Sequence, residues 1–114
     1  SIPSNPYGIE VEVWSDDIGT TTIADIGLYR TTADGGAVVN ADFFASALSL
    51  KDGALAGTRV EHESGVYDPD DVEKPLWSAL GLSSDPGVLY DIVATLTAAS
   101  DAAGTISLKW RYRS

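Results

Sequence analysis

The residues with the widest chemical reach in this chain are one histidine, a run of closely spaced acids, and cations on alternate positions of the last strand-like stretch. His62, in VEHES, is the sole histidine, and cysteine is absent. Nucleophilic catalysis of the Ser-His-Asp or Cys-His type needs a base beside its nucleophile and a group that orients the base. On a strand, Glu61 and Glu63 point to the face opposite His62 and orient nothing there. His62 therefore reads as a structural or surface residue. The acids Asp68, Asp70, Asp71 and Glu73 are close enough to be tested as a calcium loop, since hard cations want several oxygens together. The run opens with acids at the first and third places. Val72 then takes the fifth, no glycine follows at the sixth, and no glutamate falls at the twelfth. The better reading is that these carboxylates favour the positive end of a helix starting at Pro75.

Gly35-Gly36 lacks the spacing and the lysine of a phosphate loop and reads as a turn. Paired carboxylates for glycoside hydrolysis carry no signal among seventeen acids. The sequence thus points to a protein that is not an enzyme, with no catalytic, cofactor-binding or metal-binding residue and no cofactor.

The stretch ISLKWRYRS is more telling. Alternation at period two puts Lys109, Arg111 and Arg113, three of seven cations, on one face of a strand and Ile106, Leu108, Trp110 and Tyr112 on the other. Such a stripe protects an edge and can pair across strands with Glu10 and Glu12, or it can dock on an acidic partner. Exposed ion pairs are worth only ~0–1 kcal/mol each, so apolar burial must supply any affinity. Trp77 and Trp110 lie on apolar sides and read as core. Trp14 is out of phase with Ile9, Val11 and Val13 and belongs at a rim. The interface candidates are Tyr7, Trp14, Tyr29, Tyr67, Lys109, Arg111 and Arg113.

The elements that must position these residues read as one β-rich domain over residues 9–114, preceded by an extended arm over residues 1–8, SIPSNPYG. At 114 residues the chain can bury a core without disulfides. No window of ~18 apolar residues suggests a membrane span, and the start has neither a basic nor an apolar leader region. A formal charge of −10 argues against binding nucleic acid, whose affinity comes from clustered cations releasing counterions.

GIEVEVW and TIADIGLYR alternate as strands, the second with Ala24, Ile26 and Leu28 on one face. SDDIGTTT and TTADGGA read as turns. Asn40 is placed to cap a helix over ADFFASAL, whose Phe43, Phe44, Ala47 and Leu48 recur at helical spacing. SLKDGALAGT reads as irregular and leads to a strand around TRVEHE. Pro75 at a first helical position and Gly81 past the end frame a second short helix, with Leu76, Trp77 and Leu80 inward. VLYDIVATLT, AASDAAG and TISLKWRYR read as a long terminal hairpin. The expected fold is mainly β, an antiparallel sandwich or rolled sheet with two short helices and about one third of residues in strands; α+β is the alternative.

The succession ADIGLYRTTADGGAVVNADFFASAL, SGVYD, EKPLWSALGLSSDPGVLYDIVATLT and AAGTISLKWRY resembles small virion structural proteins of tailed bacteriophages, over roughly residues 23–112. The resemblance is one of texture and segment order and carries no signature motif. It implies a capsid decoration (cement) protein on the capsid exterior: a non-catalytic, commonly trimeric homo-oligomer whose partner is the major capsid protein, assembled in the host cytoplasm. Head-tail joining, tail-tube and fibre components share the texture. A carbohydrate-binding β-sandwich module is the reading from a different class. In the decoration reading SIPSNP serves as an arm that orders against a neighbour.

Overall fold

The computed structural model describes residues 1–16, 22–50, 54–98 and 104–113. The described residues form seven strands: β1 (Ile2–Pro3), β2 (Tyr7–Ser15), β3 (Ile23–Arg30), β4 (Val38–Ser49), β5 (Leu55–Arg59), β6 (Leu89–Ala98) and β7 (Ile106–Arg113). One sheet runs β1-β6-β3-β4 and the other β5-β2-β7, and all their pairings are antiparallel. The inner faces meet in one core. Ile9, Val11 and Val13 of β2 pack against Ile26 and Leu28 of β3, Phe43 and Phe44 of β4, and Tyr90 and Ile92 of β6. The fold is mainly β and sandwich-like, and its strand content exceeds the expected third.

The alternation in GIEVEVW and in IADIGL shows directly in burial, because period two sends every second side chain into the same layer. ADFFASAL does not form the expected helix; it is the middle of β4. Its pairing with β3 slips three times. β3 steps from Ala24 to Ile26 while β4 steps from Leu48 to Ala45, from Ile26 to Leu28 while β4 steps from Ala45 to Asn40, and from Leu28 to Tyr29 while β4 steps from Asn40 to Val38. Each slip is a bulge that turns extra residues out of register. Phe43, Phe44 and Ala45 are buried in succession, and the broken period mimics a helical one.

The first two bulges are built locally. At the first, Ala47 adopts φ 53°, and its N–H donates to the Asp25 carboxylate at 2.8 Å. At the second, β4 crosses directly over Gly27. A Cβ there would sit 2.1 Å from the Asn40 carbonyl oxygen, so only glycine admits the approach.

The second expected helix is present as α1 (Leu76–Ala79), with Pro75 at its N-cap and Leu76 buried. Trp77 and Leu80 are half-buried. Two single 3-10 turns, Thr32–Asp34 and Pro69–Asp71, complete the helical content among the described residues. The strand expected around TRVEHE lies earlier, as β5, and the chain turns from Val60 onward. The expected terminal hairpin is corrected as well, because β6 and β7 belong to different sheets and do not pair. Most of AASDAAG and of SDDIGTTT, and residues 51–53 of SLKDGALAGT, lie outside the described residues.

Residues 1–8 lie on their own chain. β1 adds to β6, and Ile2 is wholly buried in the core. The first N–H groups of a helix have no partner within it. Here Leu76 donates to the Pro6 carbonyl at 2.8 Å and Trp77 to the Ser4 carbonyl at 2.9 Å, so the arm caps α1. Gly8 donates to Val72 at 2.7 Å, and the Ser4 hydroxyl donates to Asp85.

Candidate functional site

The cationic face of β7 is set by its register with β2, in which Arg111 stands opposite Glu10 and Lys109 opposite Glu12. Arg111 reaches Glu12 at 2.6 Å and Glu10 at 3.5 Å. Arg59 of β5 reaches Glu10 from the other side at 3.6 Å and the carboxylate of Glu61 at 2.5 Å. A charge ladder thus crosses all three strands of this sheet. Glu61 is only 2% exposed, and its hydrogen bond holds the Arg59 guanidinium still more firmly protonated than usual. Among the described residues, neither Lys109 nor Arg113 has a carboxylate within ion-pair distance.

At the end of this sheet a groove of about 650 Å³ is lined by Tyr7, Glu10, Arg59, His62, Arg111 and Tyr112, among others. It opens where β2 bulges at Gly8, beside the aliphatic stem of Arg113. His62 is half-buried in this lining. Its Nδ1 lies 2.6 Å from the Tyr67 carbonyl oxygen, which can only accept, so Nδ1 carries the proton. The imidazole is stacked on the Tyr67 ring with centroids 5.6 Å apart. Instead of lying in the strand the sequence suggested, His62 follows β5 in a turn. Of the neighbouring hydroxyls, Ser64 donates to the Phe43 carbonyl. The groove can grip a ligand with arginine forks and tyrosine faces.

The interface candidates scatter. Tyr67 is corrected: it is 0% exposed, wedged against Phe43 and Phe44, and its hydroxyl accepts from the Ile9 N–H at 3.1 Å. Burial, the largest cause, pushes its phenol above the usual value. Tyr29 is half-buried on the other sheet, its hydroxyl 3.3 Å from that of Thr95. Trp14 is at a rim, 38% exposed, as its phase requires. Its indole lies across Gly57, where φ is 71° and a Cβ would come within 3.1 Å of the ring. Only Tyr7, Arg111 and Arg113 share the groove.

The acids Asp68, Asp70 and Asp71 do not serve α1 as expected. Asp68 caps the 3-10 turn Pro69–Asp71 by accepting from the Asp70 N–H, and Asp71 accepts from the Asp68 N–H and from Lys74. The Lys74 ammonium holds the Asp71 carboxyl below the ordinary carboxylate range. The N-cap of α1 is Pro75, whose side chain has no acceptor, and the Pro6 and Ser4 carbonyls take that task.

A second groove, of about 630 Å³, runs along the seam between β6 and β7 and is apolar, with Ile92, Ala94, Leu96, Ile106, Leu108 and Trp110 along it. These residues are inward-facing, yet Leu96 is 44% exposed because no described element covers the seam. Sequence alternation marked Ile106, Leu108 and Trp110 as sharing one apolar face and assigned no face to Ile92, Ala94 or Leu96. Their exposure was not legible, because it depends on β6 and β7 ending in different sheets. Arg59 and Glu61 also went unmarked; the only available signal was opposite charge at a spacing of two in TRVEHE.

Comparison with known protein families, with characterised proteins and with solved structures gives no match.

Proposed function

We propose that this chain works by association, without catalysis, as a decoration (cement) protein that binds the outer capsid lattice of a tailed bacteriophage as a homo-oligomer, a trimer in the simplest arrangement. The observation that carries the reading is the β6/β7 side of the sandwich. There an edge strand presents on one face Lys109 and Arg113, which have no ion pair among the described residues, and on the other half-exposed Leu108 and Trp110, beside an apolar seam. Surfaces of this kind mark protein contacts. Several polar groups are meanwhile engaged within the fold: His62 Nδ1 on the Tyr67 carbonyl, Asp68 and Asp71 on a turn, Glu61 on Arg59. An acidic surface suits the outside of a particle, away from packaged DNA. The test is co-sedimentation with intact virions, followed by mild denaturation. Release accompanied by loss of particle stability is expected; a chain that never co-sediments overturns the reading.

The groove with Tyr7, Tyr112 and the arginines favours a second reading, a glycan-binding module. That reading predicts a monomer near 12.0 kDa on size exclusion and saturable glycan binding lost in Tyr7→Ala.

A further inference from the structure

We infer that the free edge of β7 is a docking strand for an extended acidic segment of a partner protein, one that alternates carboxylates with apolar side chains. The inference rests on the reading that the chain works by association, and it names the surface and the chemistry of the partner.

Among the described residues β7 is the last strand of its sheet, paired with β2 on one side only. Its outer edge therefore presents main-chain N–H and C=O groups that a further strand can satisfy. Side chains of an added strand fall alternately on the two faces. On the outer face they meet the row Lys109, Arg111 and Arg113, in which Lys109 and Arg113 lack a carboxylate among the described residues. On the inner face they meet Leu108 and Trp110 and roof the seam over Leu96 and Ile106. The first face selects acids, and the second selects apolar groups.

The molecule already contains the match. β2 reads GIEVEVW, and it satisfies the opposite edge of β7 with Glu10 at Arg111, Glu12 at Lys109, and Val11 at Trp110. Antiparallel pairing of β7 with a second β7 is disfavoured, since a shared outer face would set cation against cation. The stripe thus rejects its own copy and accepts a strand of the β2 type.

The test uses the full chain with two synthetic peptides, GIEVEVW and its charge-reversed form GIKVKVW. Amide exchange and chemical shifts over residues 106–113 are followed by NMR. With wild type, GIEVEVW is expected to slow exchange along β7, and GIKVKVW is not. In the double variant Lys109→Glu, Arg113→Glu the preference is expected to invert, with GIEVEVW bound about tenfold more weakly. These surface positions are tolerant of substitution, and unchanged near-ultraviolet circular dichroism verifies the variant's fold. Absence of any β7 response in wild type, or equal binding of both peptides by the variant, overturns the inference. So does a dimer through β7 that excess GIEVEVW fails to dissociate. If wild type binds GIEVEVW but never co-sediments with virions, the decoration reading fails and the docking edge stands. If the variant loses the peptide yet keeps full virion occupancy, the docking edge fails and the decoration reading stands.

Discussion

The two ends of the chain look alike as sequence, both short, strand-compatible and terminal, yet the fold uses them in opposite ways. Residues 1–8 carry two prolines, which remove donors and forbid long ladders. Even so, they are tied in by Ile2 in the core, by β1 on β6, and by the Ser4 and Pro6 carbonyls that cap α1. Residues 106–113 form a full strand with good alternation, and they remain half-covered at an edge. Regular strand pattern does not by itself bring burial. A segment is buried when donors elsewhere need its acceptors and a pocket needs its side chain.

The comparison can be broken most decisively at the first end. Removing residues 1–7 strips Ile2 from the core and leaves two N–H groups of α1 without their acceptors, so loss of cooperative unfolding in urea is expected. Ile2→Ala alone is expected to cost about 2–5 kcal/mol, read from the urea midpoint. If it costs no more than a surface change, the arm is not integral. Close behind comes Tyr67→Phe, which keeps the ring and deprives the Ile9 N–H of its acceptor, at about 1–3 kcal/mol in the same assay.

The pH dependence sharpens the point. Burial raises the phenols of Tyr67 and Tyr90 above the value of about 10 they have in an unfolded chain. A raised folded-state value means the unfolded state loses its proton first. The stability these groups contribute is complete below about pH 10 and is lost as pH rises through their folded values. Thermal unfolding followed from pH 8 to 11 should show this alkaline loss, reduced at the Tyr67 site in Tyr67→Phe.

The smallest effects belong to the other end. Arg111→Ala removes exposed pairs with Glu10 and Glu12 and should cost about 0–1 kcal/mol. Lys109→Ala and Arg113→Ala should fall within about 0.5 kcal/mol of wild type in the same denaturation series. A cost of several kcal/mol at either position would mean that β7 is held as firmly as the arm.

Much of this was legible in the residues. Alternation in GIEVEVW, IADIGL and ISLKWRYR fixed strand identity and inward faces, because the pleat makes period two a direct readout. The phase of Trp14 put it at a rim, and the charges of β7 found Glu10 and Glu12. The candidate site was half legible: the stripe was visible, while the groove with Arg59 and His62 and the seam at Leu96 were not.

Local pattern determined that this chain is built from strands and which face of most of them turns inward, since side-chain direction depends only on near neighbours. Tertiary structure alone decided three matters. ADFFASAL became a bulged strand because Gly27 opened a channel for β4 to cross. Tyr67 went inside because the Ile9 N–H and the Phe43 and Phe44 rings meet there. The last two strands parted into different sheets and left a seam open. Each depends on groups distant in sequence coming within a few ångströms, and no periodicity along the chain encodes that distance.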